Sequence, residues 1–318
     1  MFPKITNGRV DPQLTNVLLA FKNPSYLADQ ILPTVPNLKD YTGKVPEMGQ
    51  SHLHQYASKR AVYDEGEHRI TFTISNSKTY EIDDYDLSTY LPDRVQTQLQ
   101  LPFNARNAAQ FTVMEAMMLE REIGLADALS DTSVLTNQST PANLYTDGVN
   151  STPEVDFETA RDSVHDATGL EANAILMSRK VANVLRRHPW FLEIGYRTLA
   201  GGSGKMQSLS MDAFTETLKS WFALDFVFIG KPIKITSREG QTVTKGNVWG
   251  NDVVFFVRPK APSLFTPSMG YSFQISGKNK RTVIRRHQND KGDLVEVQWA
   301  YQDKILQVEA AYLLKTVI

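Results

Sequence analysis

The chain has 318 residues, enough for one large domain or two medium ones, and 41% hydrophobic with 22% charged residues is the composition of a globular protein. A formal net charge of −1 argues against a dedicated nucleic-acid binder, whose affinity rests on many Lys and Arg contacts to phosphate. The lack of cysteine excludes disulfides, thiolate nucleophiles and cysteine-ligated zinc. No apolar run approaches the roughly 20 residues of a membrane span, and MFPKITNGRV is no secretory signal, so a soluble, cytoplasmically made product is expected.

Residues 1–80 read as chain that cannot bury itself. Five prolines (Pro3, Pro12, Pro24, Pro33 and Pro36) precede Pro46, with apolar residues scattered among them. The stretch 41–67 is polar, with no apolar face of either period. Yet 17–21 and 26–35 are too rich in Leu, Ile, Val, Tyr and Phe for a disordered tail. Ordered chain without an internal partner is buried by something else, and the simplest cover is a second copy.

Next, 69–74 alternates, putting Ile70, Phe72 and Ile74 on one strand face, with weaker extended character through 78–82. The stretch 44–67 is then a protruding two-stranded loop that returns along 68–82. Pro92 and Asp93 open a short helix containing Val95 and Leu99. Pro102 stands at the first turn of the longest helical pattern, about 103–130. There Ala108, Phe111, Met114, Met118 and Leu125 share one side, and Glu115, Glu120, Arg121 and Glu122 keep another wet. Such a helix spans about 40 Å and reads as a structural spine.

Residues 131–155 are loop-like. Asp156 caps a helix with Phe157, Ala160, Val164 and Ala167 inward, stopping at Gly169. A short strand at 174–177 precedes a helix capped by Ser178 (Val181, Val184, Leu185 inward) that ends near Pro189. A glycine-rich loop at 201–204, a helix at about 212–221 and a strand at 226–229 complete a small α/β unit. From Asn247 the pattern is strands: 253–257, 271–275, 282–286, 294–301 and 305–317, with polar turns between.

Sites of chemistry fail on inspection. In Gly201-Gly202-Ser203-Gly204-Lys205, a phosphate loop needs glycine where Leu199 stands and a hydroxyl where Met206 stands. Asp83-Asp84-Tyr85-Asp86 lacks the glycine and terminal glutamate of a calcium loop and reads as a solvated turn. His52 and His54 have no third ligand nearby, and His165-Asp166 lies on a helix without a serine elbow. The basic run Lys278, Lys280, Arg281, Arg285, Arg286 and His287 admits two readings, a nucleic-acid face or a strand edge that is solvated or meets another subunit. Trp190, Trp221, Trp249 and Trp299 read as core or interface. No catalytic residue, cofactor or metal is expected.

The order of parts, an extended arm, a polar two-stranded loop, a long helix, an α/β lobe and closing strands, resembles the HK97-type major capsid proteins of tailed bacteriophages. The phrases that carry the resemblance are Leu14-Thr15-Asn16-Val17 with Phe21, Tyr26-Leu27-Ala28-Asp29, and Ile31-Leu32-Pro33-Thr34-Val35-Pro36. Tyr80 with Asp84-Tyr85, then Glu120-Arg121-Glu122, Ala167-Thr168-Gly169 and Leu176-Met177-Ser178 follow. Val248-Trp249-Gly250-Asn251-Asp252, Val257-Arg258-Pro259 and Tyr312-Leu313-Leu314 close the set, which spans essentially the whole chain.

The resemblance implies an α+β fold with an N-terminal arm (1–41), an extended E-loop (42–80), a P-domain with the spine (81–152), an axial A-domain (153–262), P-domain hairpin strands (263–301) and a C-terminal strand returning to the A-domain (302–318). It implies a structural protein, not an enzyme, that self-assembles as hexamers and pentamers into an icosahedral shell around phage double-stranded DNA, held by non-specific contact. Further implied partners are a portal protein and separate scaffolding and decoration proteins; because the chain starts at the arm, scaffold is expected to be separate or unnecessary. The location implied is the virion, after assembly in the host cytoplasm, with no membrane. Subunit-interface candidates are Phe21, Tyr26, Ile31, Tyr56, Lys59, Arg60, Tyr63, Glu65, Asn289 and Lys291. Some relatives form an isopeptide crosslink, for which Lys59, Asn289 and Glu296 have the required types. The alternatives are an encapsulin shell of the same fold, or an oligomeric enzyme with an unseen site.

Overall fold

One 26-residue helix carries the longest apolar period of the chain, and the other layers are placed against it. The computed structural model describes residues 9–10, 14–15, 18, 26–48, 74–98, 104–199, 208–238, 240–262, 267–276, 279–287 and 291–318. In chain order, β1 (Arg9–Val10), α1 (Ala28–Ile31) and β2 (Thr34–Leu38) precede the strands β3 (Thr42–Met48) and β4 (Ile74–Glu81). Then come β5 (Asp83–Pro92), α2 (Asp93–Gln98) and the spine α3 (Ala105–Ser130). The lobe contains β6 (Gln138–Ser139), α4 (Pro153–Thr168), β7 (Ala174–Ser178), α5 (Arg179–Leu185), α6 (Pro189–Leu199), α7 (Met211–Phe222) and β8 (Phe226–Gly230). After β9 (Ile233–Ile235), β10 (Lys245–Asn247) and β11 (Val253–Phe256), the chain ends in β12 (Gly270–Ile275), β13 (Arg281–His287), β14 (Gly292–Ile305) and β15 (Ala311–Leu314).

The spine starts at Asn104, whose Oδ1 accepts from the N–H groups of Arg106 and Asn107 at 3.0 and 3.4 Å. Pro102 lies outside the described residues. Met114, Met118 and Leu125 are buried as the periodicity expects, whereas Ala108 is exposed and Phe111 half-buried. The larger departure is at Arg121 and Glu122, expected to be wet and found buried. The cause is that the spine is covered from two directions, so its dry face is broader than one stripe. Val113, Met114, Met117 and Met118 pack against Val297, Trp299 and Tyr301 of β14. Two to three turns later, Leu125, Ala126 and Leu129 pack against the lobe and α1.

β12 and β13 both run antiparallel to β14, one along each half, so they act as a single interrupted strand. β5 pairs antiparallel with β14 along its other side, β2 lies parallel to β12, and β1 extends β13. Asp83-Asp84-Tyr85-Asp86 is therefore strand, not a turn, because β14 offers it a full ladder. The expected strand at 305–317 is broken: β14 runs to Ile305, a 3-10 turn (Val308–Ala310) redirects the chain, and β15 joins the other sheet.

That second sheet has the order β6-β15-β11-β7-β8. Ile175, Met177, Val253, Phe255, Tyr312 and Leu314 meet α4, α5, α6 and α7 on one face. Ala174, Leu176, Val254, Phe256, Ala311 and Leu313 meet the spine layer on the other. Covered on both faces, β7, β11 and β15 are uninterrupted apolar runs.

Ser178 caps α5 as expected, accepting from the Val181 N–H at 3.3 Å, and Gly169 ends α4 at φ 70°. α4 begins at Pro153 after Thr152, not at Asp156, because proline is pre-set for a first helical position. Thr168, not Ala167, completes its buried face. Pro189 likewise starts a helix, α6, which was not expected. Also unforeseen are β9 and β10, which among the described residues pair only with each other. The glycine-rich loop 201–204 lies outside the described residues.

The N-terminal segment is less dependent on a second copy than its prolines suggest. Leu14, Leu18, Leu27, Ala28, Ile31 and Leu32 are buried within this chain: Leu18 packs with Met114, Met117 and Trp299, and the spine's second face accepts Leu27, Ala28, Ile31 and Leu32. β3 and β4 do form the expected ribbon and pair with nothing else among the described residues.

Gly230 is where this packing is tightest, since a Cβ there would lie 2.0 Å from Cδ1 of the buried Trp249 ring. G230A is expected to destabilise the subunit by about 1–3 kcal/mol through overpacking. Thermal denaturation of the purified subunit checks this, and an unchanged melting temperature would contradict it.

Candidate assembly interface

The arm, the spine and both sheets converge on two consecutive spine residues. Glu122 is fully buried, and one carboxylate oxygen accepts from the backbone N–H groups of Leu27 and Ala28 at 2.9 and 2.8 Å, capping the start of α1. The other accepts from the Trp249 indole N–H at 2.7 Å, which ties in the lobe. Arg121 points to the opposite side. It binds Asp303 with two bonds of 2.6 and 2.9 Å, donates to the Ser272 hydroxyl at 3.1 Å, and pairs with Asp29 of α1. Its guanidinium also lies over Trp299 and Tyr301, 4.9 and 5.0 Å from the ring centroids.

Lys280 extends the cluster, meeting Asp29 at 3.1 Å and lying over Trp299 at 4.5 Å. Burial opposes ionisation of Asp29, but Arg121 and Lys280 outweigh it and hold the carboxyl below its ordinary value. Burial pushes Glu122 upward against the pull of its three donors and Arg121. Arg121 stays cationic because Asp303 and Asp29 outweigh its desolvation.

The base of the β3–β4 ribbon is anchored where Tyr80 stacks on Phe273 at 4.9 Å and the Tyr41 hydroxyl donates to Asp84 at 2.9 Å. Tyr56, Lys59, Arg60, Tyr63 and Glu65 lie outside the described residues, as do Phe21, Asn289, His52 and His54. Tyr26 is half-buried and donates to the Glu115 carboxylate at 3.0 Å. Ile31 is 1% exposed, its side chain covered by this same chain. Lys291 is exposed at the β13–β14 turn with φ 50°, and its carbonyl accepts from the Asp93 N–H at 3.0 Å. Of the crosslink set only Glu296 is described, buried and paired with Arg285 at 3.1 Å.

The basic run on β13 is largely neutralised within the subunit. Arg285 meets Glu296, and Arg286 meets Asp93 and Asp293 at 2.5 and 3.0 Å. Arg281 donates to the Gln298 side chain at 2.6 Å. This disfavours the nucleic-acid reading of that run. Trp249 and Trp299 are buried, Trp190 is half-buried, and Trp221 is 52% exposed. Tyr85, Leu87 and Tyr90 leave apolar surface exposed along β5.

One serine–histidine pair, 37 residues apart in sequence, comes together only in the fold. His188 Nε2 lies 3.1 Å from Ser151 Oγ, but its Nδ1 accepts from the Trp190 N–H, so Nε2 carries the proton and is no base. Burial lowers the His188 pKa and keeps the ring neutral. Among the described residues no three His, Asp or Glu side chains are grouped to hold a metal, and no helix is long and apolar enough to cross a membrane. The Arg121–Glu122 joint had a sequence signal: Glu122 stands four residues after Met118 and three before Leu125, on the apolar stripe itself.

No family model matches the chain. Over 96% of its length it is 23% identical to the major capsid protein of Burkholderia phage BcepMu, covering 95% of that protein. It is 22% identical to the major capsid protein of Pseudomonas phage JBD67, over 85% of this chain and 82% of the relative. Among solved structures, a phage-related protein from Bordetella bronchiseptica RB50 superposes with a TM-score of 0.74 at 24% identity, over 98% of both chains. The capsid of cyanophage P-SCSP1u gives 0.56 at 12% identity, over 99% of this chain and 92% of the other. An encapsulin from Synechococcus elongatus PCC 7942 gives 0.54 at 11%, over 96% and 95%.

R121M should cost about 3–5 kcal/mol, because it strands Asp303 and Asp29 without their cation. Chemical denaturation of the purified subunit measures this, and a loss under 1 kcal/mol (about a fivefold shift) would remove the joint from its central place. Because Asp29 is held below its ordinary value of 3.8, its contribution is present above that pH and lost as pH falls below it. D29N should therefore be less stable near neutrality and lose less on acidification than the parent.

Proposed function

We infer that this chain is a major capsid protein with the HK97-type fold, whose copies assemble into a closed icosahedral shell. The observation that carries the reading is the near full-length similarity to two phage major capsid proteins, joined to a fold shared with phage capsids. The β3–β4 ribbon supports it physically. Among the described residues it is a two-stranded arm without a further sheet partner, and such ribbons are marginal until another surface covers them.

In this reading the shell is built of hexamers and pentamers and belongs to the virion. Residues 1–41 serve as the arm and 42–80 as the E-loop lying over a neighbour. Residues 81–152 and 263–301 form the P-domain, 153–262 the A-domain, and 302–318 return to it. The shell encloses double-stranded DNA through diffuse, non-specific contact, is assembled in the host cytoplasm, and meets a portal protein, with scaffolding and decoration proteins as further candidate partners. Tyr26, Lys291 and the ribbon residues between β3 and β4 are its proposed contact points.

The encapsulin reading shares the fold. It predicts a small shell around a protein cargo, where the capsid reading predicts a larger shell that retains nuclease-protected DNA when formed during infection.

Expressed and purified, the full chain should form closed, uniform particles under the electron microscope; a discrete small oligomer at all concentrations would refute the reading. Replacing 49–73 with a short turn should leave a folded, soluble subunit that no longer closes shells. Normal shells from that variant would exclude the ribbon from assembly.

A further inference from the structure

We propose that neighbouring copies within a ring dock the acidic face of α4 on the basic face of α5, head to tail; this rests on the shell reading above. α4 carries Glu158, Asp162 and Asp166 four residues apart, all exposed and on one side of the helix. Among the described residues none of the three has a cationic partner. Arg161 and His165, the basic side chains of the same helix, turn instead to Glu171 at 2.6 and 3.7 Å.

α5 has the opposite character. Arg179, Lys180 and Arg187 are exposed at its start and just beyond its end, and among the described residues no carboxylate reaches them. Lys180 makes one long contact, 3.5 Å, with the Asn251 amide oxygen. A cavity of about 360 Å³ opens beside Lys180, Asn183 and Arg187, bordered by the 145–148 loop. The contrast with the basic run at 280–286 is informative: Lys280, Arg285 and Arg286 meet carboxylates of their own subunit, and among the described residues those of α5 meet none.

The placement suits a ring. α4 packs over β15 and β11, whereas α5 packs over β7 and β8, so the two faces lie toward opposite flanks of one five-stranded sheet. Complementary patches on different flanks cannot satisfy each other within a subunit. They join successive copies in one rotational sense, a heterologous contact that closes when the rotation closes. The lengths agree as well, about 12 Å for the acidic stripe and about 10 Å from Lys180 to Arg187. Exposed pairs of this kind set orientation and association rate more than affinity, leaving apolar surfaces to hold the ring.

The test is a charge swap in the full chain. E158K/D162K/D166K and R179E/K180E/R187E should each lower the yield of closed particles about tenfold or more at low salt, with sedimentation and microscopy as readouts. Both triples combined in one chain should restore most of the yield. Circular dichroism checks folding, and where a reversal unfolds, the neutral triples E158Q/D162N/D166N and R179Q/K180Q/R187Q replace it, with a smaller loss expected from each. A combined variant no better than its parents overturns the proposal. So does a basic reversal that leaves shell yield intact and loses only bound DNA, which would assign α5 to nucleic acid. Failure of the unaltered chain to form shells would instead strike the reading of function.

Discussion

A single turn of the spine, at Arg121 and Glu122, is where this fold is joined. Upstream the helix packs on the sheet built around β14; downstream it packs on the lobe. At the changeover neighbouring side chains point to different sides, so one residue binds each partner and both bind α1. Burying an arginine and a glutamate is costly unless every donor and acceptor is met. Here Glu122 has three donors, and Arg121 has two carboxylates, a hydroxyl and two aromatic faces. The arrangement is directional, which an apolar contact of the same area is not. It fixes how the lobe, the β14 sheet and the arm are set relative to one another.

That rigidity bears on assembly. A closed shell requires each copy to present its contacts at consistent angles, and small errors accumulate around a ring. The subunit combines a core held by directional bonds with surfaces left open among the described residues: the ribbon, the apolar strip of β5, and the β9–β10 hairpin with Ile233 and Ile235 half exposed or more. In the proposed shell, surfaces of this kind are the ones to become buried on association.

Charge follows a similar division. The formal total is −1, so many copies can gather without strong mutual repulsion. Locally the pattern is uneven. On β13 and at Lys280 just before it, cations are matched by Asp93, Asp293, Glu296 and Asp29 within the subunit. On α4 and at α5 the exposed Glu158, Asp162 and Asp166 and the exposed Arg179, Lys180 and Arg187 have no partner of opposite charge among the described residues.

Much of this was legible in the sequence, because local physics decides it. Period-2 and period-3.6 patterns, Ser178 and Gly169 as helix signals, and the polar stretch between β3 and β4 fixed most elements to within a few residues. The order of parts pointed to the HK97-type fold. Local signals failed where a distant surface set the outcome. Asp83–Asp86 looked like a turn until β14 supplied a ladder, and 305–317 looked continuous although its two ends belong to different sheets. Arg121 and Glu122 looked wet because charge on a helix usually is; only the second layer on the spine, more than a hundred residues away for Trp249 and Asp303, buries them. Composition and periodicity report how a residue meets its near neighbours. Which distant surface arrives to desolvate it depends on the whole fold.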